Sequence, residues 1–164
     1  MKIIIIGAYA IGTHLARLLS RNNDDITIID DDGERLAQIG SDFDLMTMEA
    51  SPSSINTLTD AGVAAADLFI SVTPSQSLNI NTCIIAHALG ARKTVAKISD
   101  AEFTAEDKKE FFKRLGIDEL IYPEILAARD IISGLKMSWV RQRWDVQDGG
   151  LVMLGIKLRE ACEI

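Results

Sequence analysis

Residues 2–6 read Lys-Ile-Ile-Ile-Ile and run directly into Gly7. Successive side chains of a strand point to opposite faces, so four isoleucines in a row make a strand apolar on both sides. Such a strand needs cover above and below, the position of a central strand in a parallel sheet. The run is also far shorter than the roughly 20 apolar residues that cross a bilayer, and too short for the core of a secretory signal.

Strand-length apolar runs then alternate with helix-periodic stretches. Residues 12–20 place Leu15, Leu18 and Leu19 on one helical side, and 25–30 (DITIID) form a second strand. Gly33 punctuates the chain before a helix that begins at 34–39. Residues 45–48, 67–72, 94–98 and 119–122 read as further strands. The intervening 54–60, 78–89 and 107–115 read as helices, with Pro74 and Gly90 as breaks. Strand–helix alternation with short connections predicts right-handed crossovers and helices on both sides of a parallel sheet.

The last forty residues differ. Pro123 opens a helix to about Lys136, with Ile125, Ala128, Ile132 and Leu135 in one stripe, joined by Leu126 and Ile131. This stripe suits either the chain's own sheet or a second subunit, and the second is preferred. Residues 139–146 and 151–158 alternate around Asp148-Gly149-Gly150, which predicts a hairpin. Trp139 and Trp144 fit either an interface or a cap on the core. No closing element follows before Ile164, so the chain reads as part of a longer protein.

Composition narrows the function. A net charge of -7 argues against a sequence-independent nucleic-acid binder and against docking on anionic lipid. The only two cysteines, Cys83 and Cys162, stand in no metal-ligand spacing and read as reduced thiols of a cytoplasmic protein. His14 is expected to face solvent and His87 to be structural. Neither belongs to a nucleophilic triad.

The chemical motif is Gly7-Ala8-Tyr9-Ala10-Ile11-Gly12, set between the first strand and first helix. In a dinucleotide-binding loop the first glycine makes the tight turn and the last packs helix on strand. The helix start offers free amides to a pyrophosphate. Asp30 ends the second strand, where its carboxylate can accept both hydroxyls of an adenine ribose and repel a 2′-phosphate, favouring NAD over NADP. Tyr9 stands where a middle glycine lets phosphate approach. Two readings stay open, a retained nucleotide site or a loop kept for its turn alone. Of Asp30, Asp31 and Asp32, one acid on a ribose and two in solvent is preferred to a metal site. A nicotinamide-dependent oxidoreductase is disfavoured, because no Tyr-x-x-x-Lys pair exists: Tyr9 is followed by Thr13 and Tyr122 by Leu126. No catalytic residue is assigned.

These features predict an α/β chain, a Rossmann-type doubly wound parallel sheet of about six strands with a C-terminal crossover helix and hairpin extension. The segments KIIIIGAYAIG, IDDD at 29–32, DAGVAAADLFISVT at 60–73, NINTCIIAHALGARKTVAKI at 79–98 and LIYPEILAARDIISGL at 120–135 carry a further likeness. The chain resembles the KTN or RCK (regulator of potassium conductance) family, the N-terminal domain of Trk potassium-uptake regulatory subunits. The resemblance implies a non-catalytic cytoplasmic sensor that binds NAD or NADH, or ATP or ADP. It implies a homodimer or higher ring beneath a membrane potassium-translocating subunit, with no membrane insertion of its own.

By the same resemblance Gly7, Ala8, Tyr9, Ala10, Ile11 and Gly12 form the phosphate loop, Asp30 holds the ribose, and Thr73 and Pro74 line the cleft. Lys97 stands where the family has Arg. Tyr9, Glu49-Ala50 and Gln76-Ser77-Leu78 depart from the family pattern. Residues 1–136 are expected to form the nucleotide-binding domain, and 137–164 to be a hairpin opening a small regulatory domain.

Overall fold

A computed structural model of the chain describes residues 1–22, 24–39, 45–136, 140–146 and 151–156. The backbone divides into two compact units, Met1–Pro123 and Glu124–Ile164. The first carries six parallel strands in the order β3-β2-β1-β4-β5-β6. They are β1 (Lys2–Ile6), β2 (Asp25–Asp30), β3 (Met46–Glu49), β4 (Leu68–Ser71), β5 (Thr94–Lys97) and β6 (Glu119–Ile121). Between them run α1 (Ala10–Leu19), α2 (Gly33–Ala37), α3 (Ile55–Asp60), α4 (Gln76–Leu89) and α5 (Glu106–Arg114). The strand order reverses between β1 and β4, which opens a crevice beyond their carboxyl ends.

The isoleucine run is the centre of this sheet. Ile3 and Ile5 join a core with Ala16 of α1, Leu36 of α2, Ile26 and Ile28. Ile4 and Ile6 face the opposite core, with Phe69, Leu58, Cys83 and Ala86. All four are buried. Burying one such side chain is worth about 1.5–3 kcal/mol, against about 1–2 kcal/mol to fix one residue's backbone. Packing on both faces, rather than strand propensity, therefore holds β1 in place.

Two glycines set the approach of α1 to β1. Gly7 has φ 100°, a conformation that L side chains resist. A Cβ built on Gly12 would fall on the Gly7 carbonyl oxygen. The helix axis can come this close only without a side chain there.

The expected alternation is present throughout, with boundaries shifted by one or two residues. The first helix begins at Ala10 rather than 12, the third strand is Met46–Glu49 and the fourth helix starts at Gln76. Three short 3₁₀ turns, Ser20–Asn22, Val63–Ala65 and Ala101–Thr104, carry no periodic signal and were not expected from sequence. The second unit contains α6 (Pro123–Lys136, its first residue in the first unit) and an antiparallel pair, β7 (Val140–Val146) with β8 (Leu151–Ile156). Leu126, Ile131 and Ile132 of α6 are exposed on the single chain. The turn at 148–150, Trp139 and Cys162 lie outside the described residues, as does the side chain of Trp144.

Gly12→Ala is expected to lower stability by about 1–3 kcal/mol through the forced clash, measured by urea unfolding at constant m-value.

Candidate functional site

The glycine loop crosses the carboxyl end of β1 next to its neighbour strands. The Gly7 amide donates to the Ile29 carbonyl at 2.9 Å, and the Thr73 methyl and backbone lie against Gly7. In α1 the Thr13 amide is the first to find a helical partner, donating to the Tyr9 carbonyl at 2.9 Å. The amides of Ala10, Ile11 and Gly12 precede it and have no acceptor within the helix. The cap residue Tyr9 makes no side-chain capping bond, and no acid stands in the first turn. This helix start therefore keeps its positive dipole end uncompensated, as an anion site requires.

Asp30 ends β2 with its side chain only 2% exposed. The Ala8 amide donates to Oδ2 at 2.6 Å, which ties the carboxylate to the glycine loop. The Asp32 amide donates to Oδ1 at 3.0 Å. Arg35 of α2 adds Nη2 at 2.6 Å and Nε at 3.2 Å, both to Oδ1. Burial pushes the Asp30 carboxyl up, but the Arg35 guanidinium and the amides of Ala8 and Asp32 outweigh it and hold it below the ordinary aspartate value.

The acids beside it do not simply sit in solvent as expected. Asp32 caps α2, accepting from the Glu34 and Arg35 amides at 2.9 and 3.2 Å. It also pairs with Arg35 Nη1 at 2.7 Å, and exposed Asp31 pairs with Nη2 at 3.1 Å. The guanidinium carbon lies 4.3 Å from the centroid of the Tyr9 ring. Beside the loop a groove of about 470 Å³ is lined by Tyr9, Thr13, His14, Arg17, Arg35 and Gln38. Its arginines and histidine stand out on an acidic chain.

The far side of the crevice is built around Asn79, fully buried in α4. Its Oδ1 accepts from Ser71 Oγ at 3.0 Å, the Thr73 amide at 2.9 Å and Thr73 Oγ1 at 2.7 Å. Its Nδ2 donates to the carbonyls of Thr73 and Lys97, at 3.0 and 2.9 Å. Thr73 is thus buried and committed to this network, while Pro74 is exposed. Lys97 is half-buried, and among the described residues no carboxylate lies within ion-pair reach of its ammonium. Gln76, one of the departures from pattern, accepts from the Ser99 and Asp100 amides at 2.8 and 3.0 Å.

The structure brings Gly7 through Gly12 together with Asp30 and Thr73. It adds two residues that the sequence reading passed over. Arg35 stands three, four and five residues after Asp32, Asp31 and Asp30, a spacing that puts one cation beside three acids at a helix start. Asn79 is a lone amide on the buried side of an apolar helix. Among the described residues no group of three or more His, Cys, Asp or Glu could hold a metal. Cys83 is buried and donates to the Val95 carbonyl at 3.4 Å, and burial pushes its thiol up to about 12, far from a reactive thiolate.

A glycine loop at a strand-to-helix turn, an acid buried at the end of the next strand and this sheet order make a dinucleotide-type fold. Residues 3–123 match the family described as the TrkA-N domain. The chain belongs to that family. Among curated relatives of this TrkA-N domain, the Trk system potassium uptake protein TrkA of Haemophilus influenzae is 39% identical over 133 residues, 80% of this chain and 29% of the relative. The protein of the same name from Vibrio alginolyticus is 37% identical over 129 residues, 77% of this chain and 28% of the relative. The chain thus spans less than a third of the length of either. Both are named for potassium uptake and not for a catalysed reaction.

Solved structures agree on the fold. The TrkA-N domain of the inner membrane protein ybaL from Escherichia coli aligns with TM-score 0.69 at 14% identity, over 82% of this chain and 96% of that one. The GsuK channel bound to NAD aligns with TM-score 0.62 at 21% identity, over 73% of this chain and 21% of that one. GsuK bound to ADP aligns with TM-score 0.61 at 21% identity, over 73% and 30%.

Because the Asp30 carboxyl is held below its unfolded value, its contribution to the TrkA-N domain's stability is present above pH 4 and lost as pH falls through the folded value. Thermal melts should show Asp30→Asn least stable relative to the parent near neutrality, with the gap closing below pH 4.

Proposed function

We propose that this chain is a nucleotide-sensing regulatory module of a potassium-uptake system, binding NAD(H) or an adenine nucleotide without catalysing a reaction. One observation carries the reading: the Ala8 amide holds the buried Asp30 carboxylate at 2.6 Å, so ribose acid and phosphate loop form a single unit. The uncompensated amides of Ala10, Ile11 and Gly12 fit a pyrophosphate, and Asp30 fits the adenine ribose. Thr73 and Pro74 would edge the cleft, with the Lys97 ammonium available to a phosphate. The GsuK structures with NAD and ADP support this ligand class.

In this reading the chain works on the cytoplasmic face of a membrane. Among the described residues no helix is long and apolar enough to cross one. The exposed Leu126, Ile131 and Ile132 of α6 would pack against a second copy in a homodimer or larger ring. Residues 137–164 would open a following small regulatory domain. A nucleotide that binds one arrangement of subunits better than another shifts their balance, and a membrane potassium-translocating partner would sense that shift.

A second reading is favoured by two observations: the Asp30 oxygens are already engaged, and Tyr9 fills the place of a glycine beneath Arg35. A domain kept for assembly alone would look the same.

Titration calorimetry of the chain with NAD, NADH, ADP and ATP, with mass by light scattering, separates the two. Saturable binding that weakens at least about tenfold in Asp30→Ala is expected, since that variant loses both the ribose acceptor and the bond that holds the glycine loop through Ala8. A folded oligomer that gives no heat with any of the four supports the assembly reading instead.

A further inference from the structure

We infer that Arg35 is an internal competitor for the ribose, occupying one of the two carboxylate oxygens that the hydroxyls of an adenine ribonucleotide would share and thereby setting how strongly the site reads them. The inference rests on the nucleotide reading above. A carboxylate oxygen has two lone pairs. Asp30 Oδ1 already takes three donors: the Asp32 amide and the Nε and Nη2 of Arg35. Oδ2 takes one, from Ala8. Without rearrangement the carboxylate can therefore accept one ribose hydroxyl, on Oδ2, and both hydroxyls only if the guanidinium leaves Oδ1.

The occupant is a strong one. Both contacts join opposite charges, whereas a ribose hydroxyl brings only a neutral donor to the same carboxylate. The Tyr9 ring against the guanidinium adds a cation–π contact. The arginine nevertheless has somewhere to go. Asp31 and Asp32 already hold it at 3.1 and 2.7 Å, so it can give up Asp30 while staying paired. Its side chain is already 29% exposed along the groove, so an outward move takes it into water. Displacement is then costly enough to weaken ribose recognition and cheap enough to occur.

Removing Arg35 also makes the site more negative, which by itself weakens any phosphate-bearing ligand. The test therefore compares two ligands with identical phosphates. Dissociation constants for ADP and 2′,3′-dideoxy-ADP are measured by calorimetry on the 164-residue chain, on Arg35→Gln and on Arg35→Lys, with a thermal melt of each.

In the parent chain loss of both hydroxyls should weaken binding only about threefold. In Arg35→Gln that ratio should rise about tenfold, the worth of one hydrogen bond to a charged acceptor. Arg35→Lys, which lacks the two-pronged geometry, should fall between. It carries the test alone should the glutamine variant fail to fold. ADP binding only to the folded Arg35→Gln also supports the inference. An unchanged or lower ratio, or loss of ADP binding in a folded variant, overturns the inference and leaves the nucleotide reading standing. Absence of ADP binding in all three folded proteins overturns both.

Discussion

The Asp30 carboxylate is the junction on which the candidate site depends. It receives the glycine loop through Ala8, the β2–α2 turn through Asp32, and α2 through Arg35. A buried charge survives only when its lone pairs are met, and here four donors meet them. The loop therefore takes its position from a side chain one strand away, and the short α2 does too. Five residues cannot form a stable helix by themselves, so α2 owes its order to the Asp32 cap, to Leu36 in the core and to the arginine anchored on β2.

The central strands of this scaffold are plain in the amino-acid sequence because they are covered on both faces, unlike the largely exposed edge strand β3. Both faces of β1 and β2 must be apolar, and an uninterrupted β-branched run is the direct record of that demand. The glycine loop is equally plain, since Gly7 and Gly12 answer to backbone geometry that few residues tolerate. The helix boundaries are less so. Ala10 and Ile11 belong to α1, yet nothing in their chemistry separates a loop residue from a first-turn residue.

The partners of the site residues were the illegible part. Asp30 announces itself by its position, but the arginine that meets it comes from the helix beyond the turn at Asp32, five residues on. Asn79 shows the same limit. An amide in an apolar helix signals a buried network, but its partners Ser71, Thr73 and Lys97 come from strand ends that only the folded sheet brings within 3.0 Å. Pairings across the sheet are fixed by register and crossover, and neither is written locally.

The Asn79 network also makes the crevice mechanically lopsided. On its side, one buried amide stitches the end of β4, the end of β5 and the start of α4 with bonds that no solvent can replace. On the opposite side, contact depends on a partly exposed arginine with several carboxylates to choose from. The nucleotide proposed above would meet one stiff wall and one compliant one. On the proposed reading, motion begun at this site would leave by way of α2, with α4 as the anvil against which it is struck.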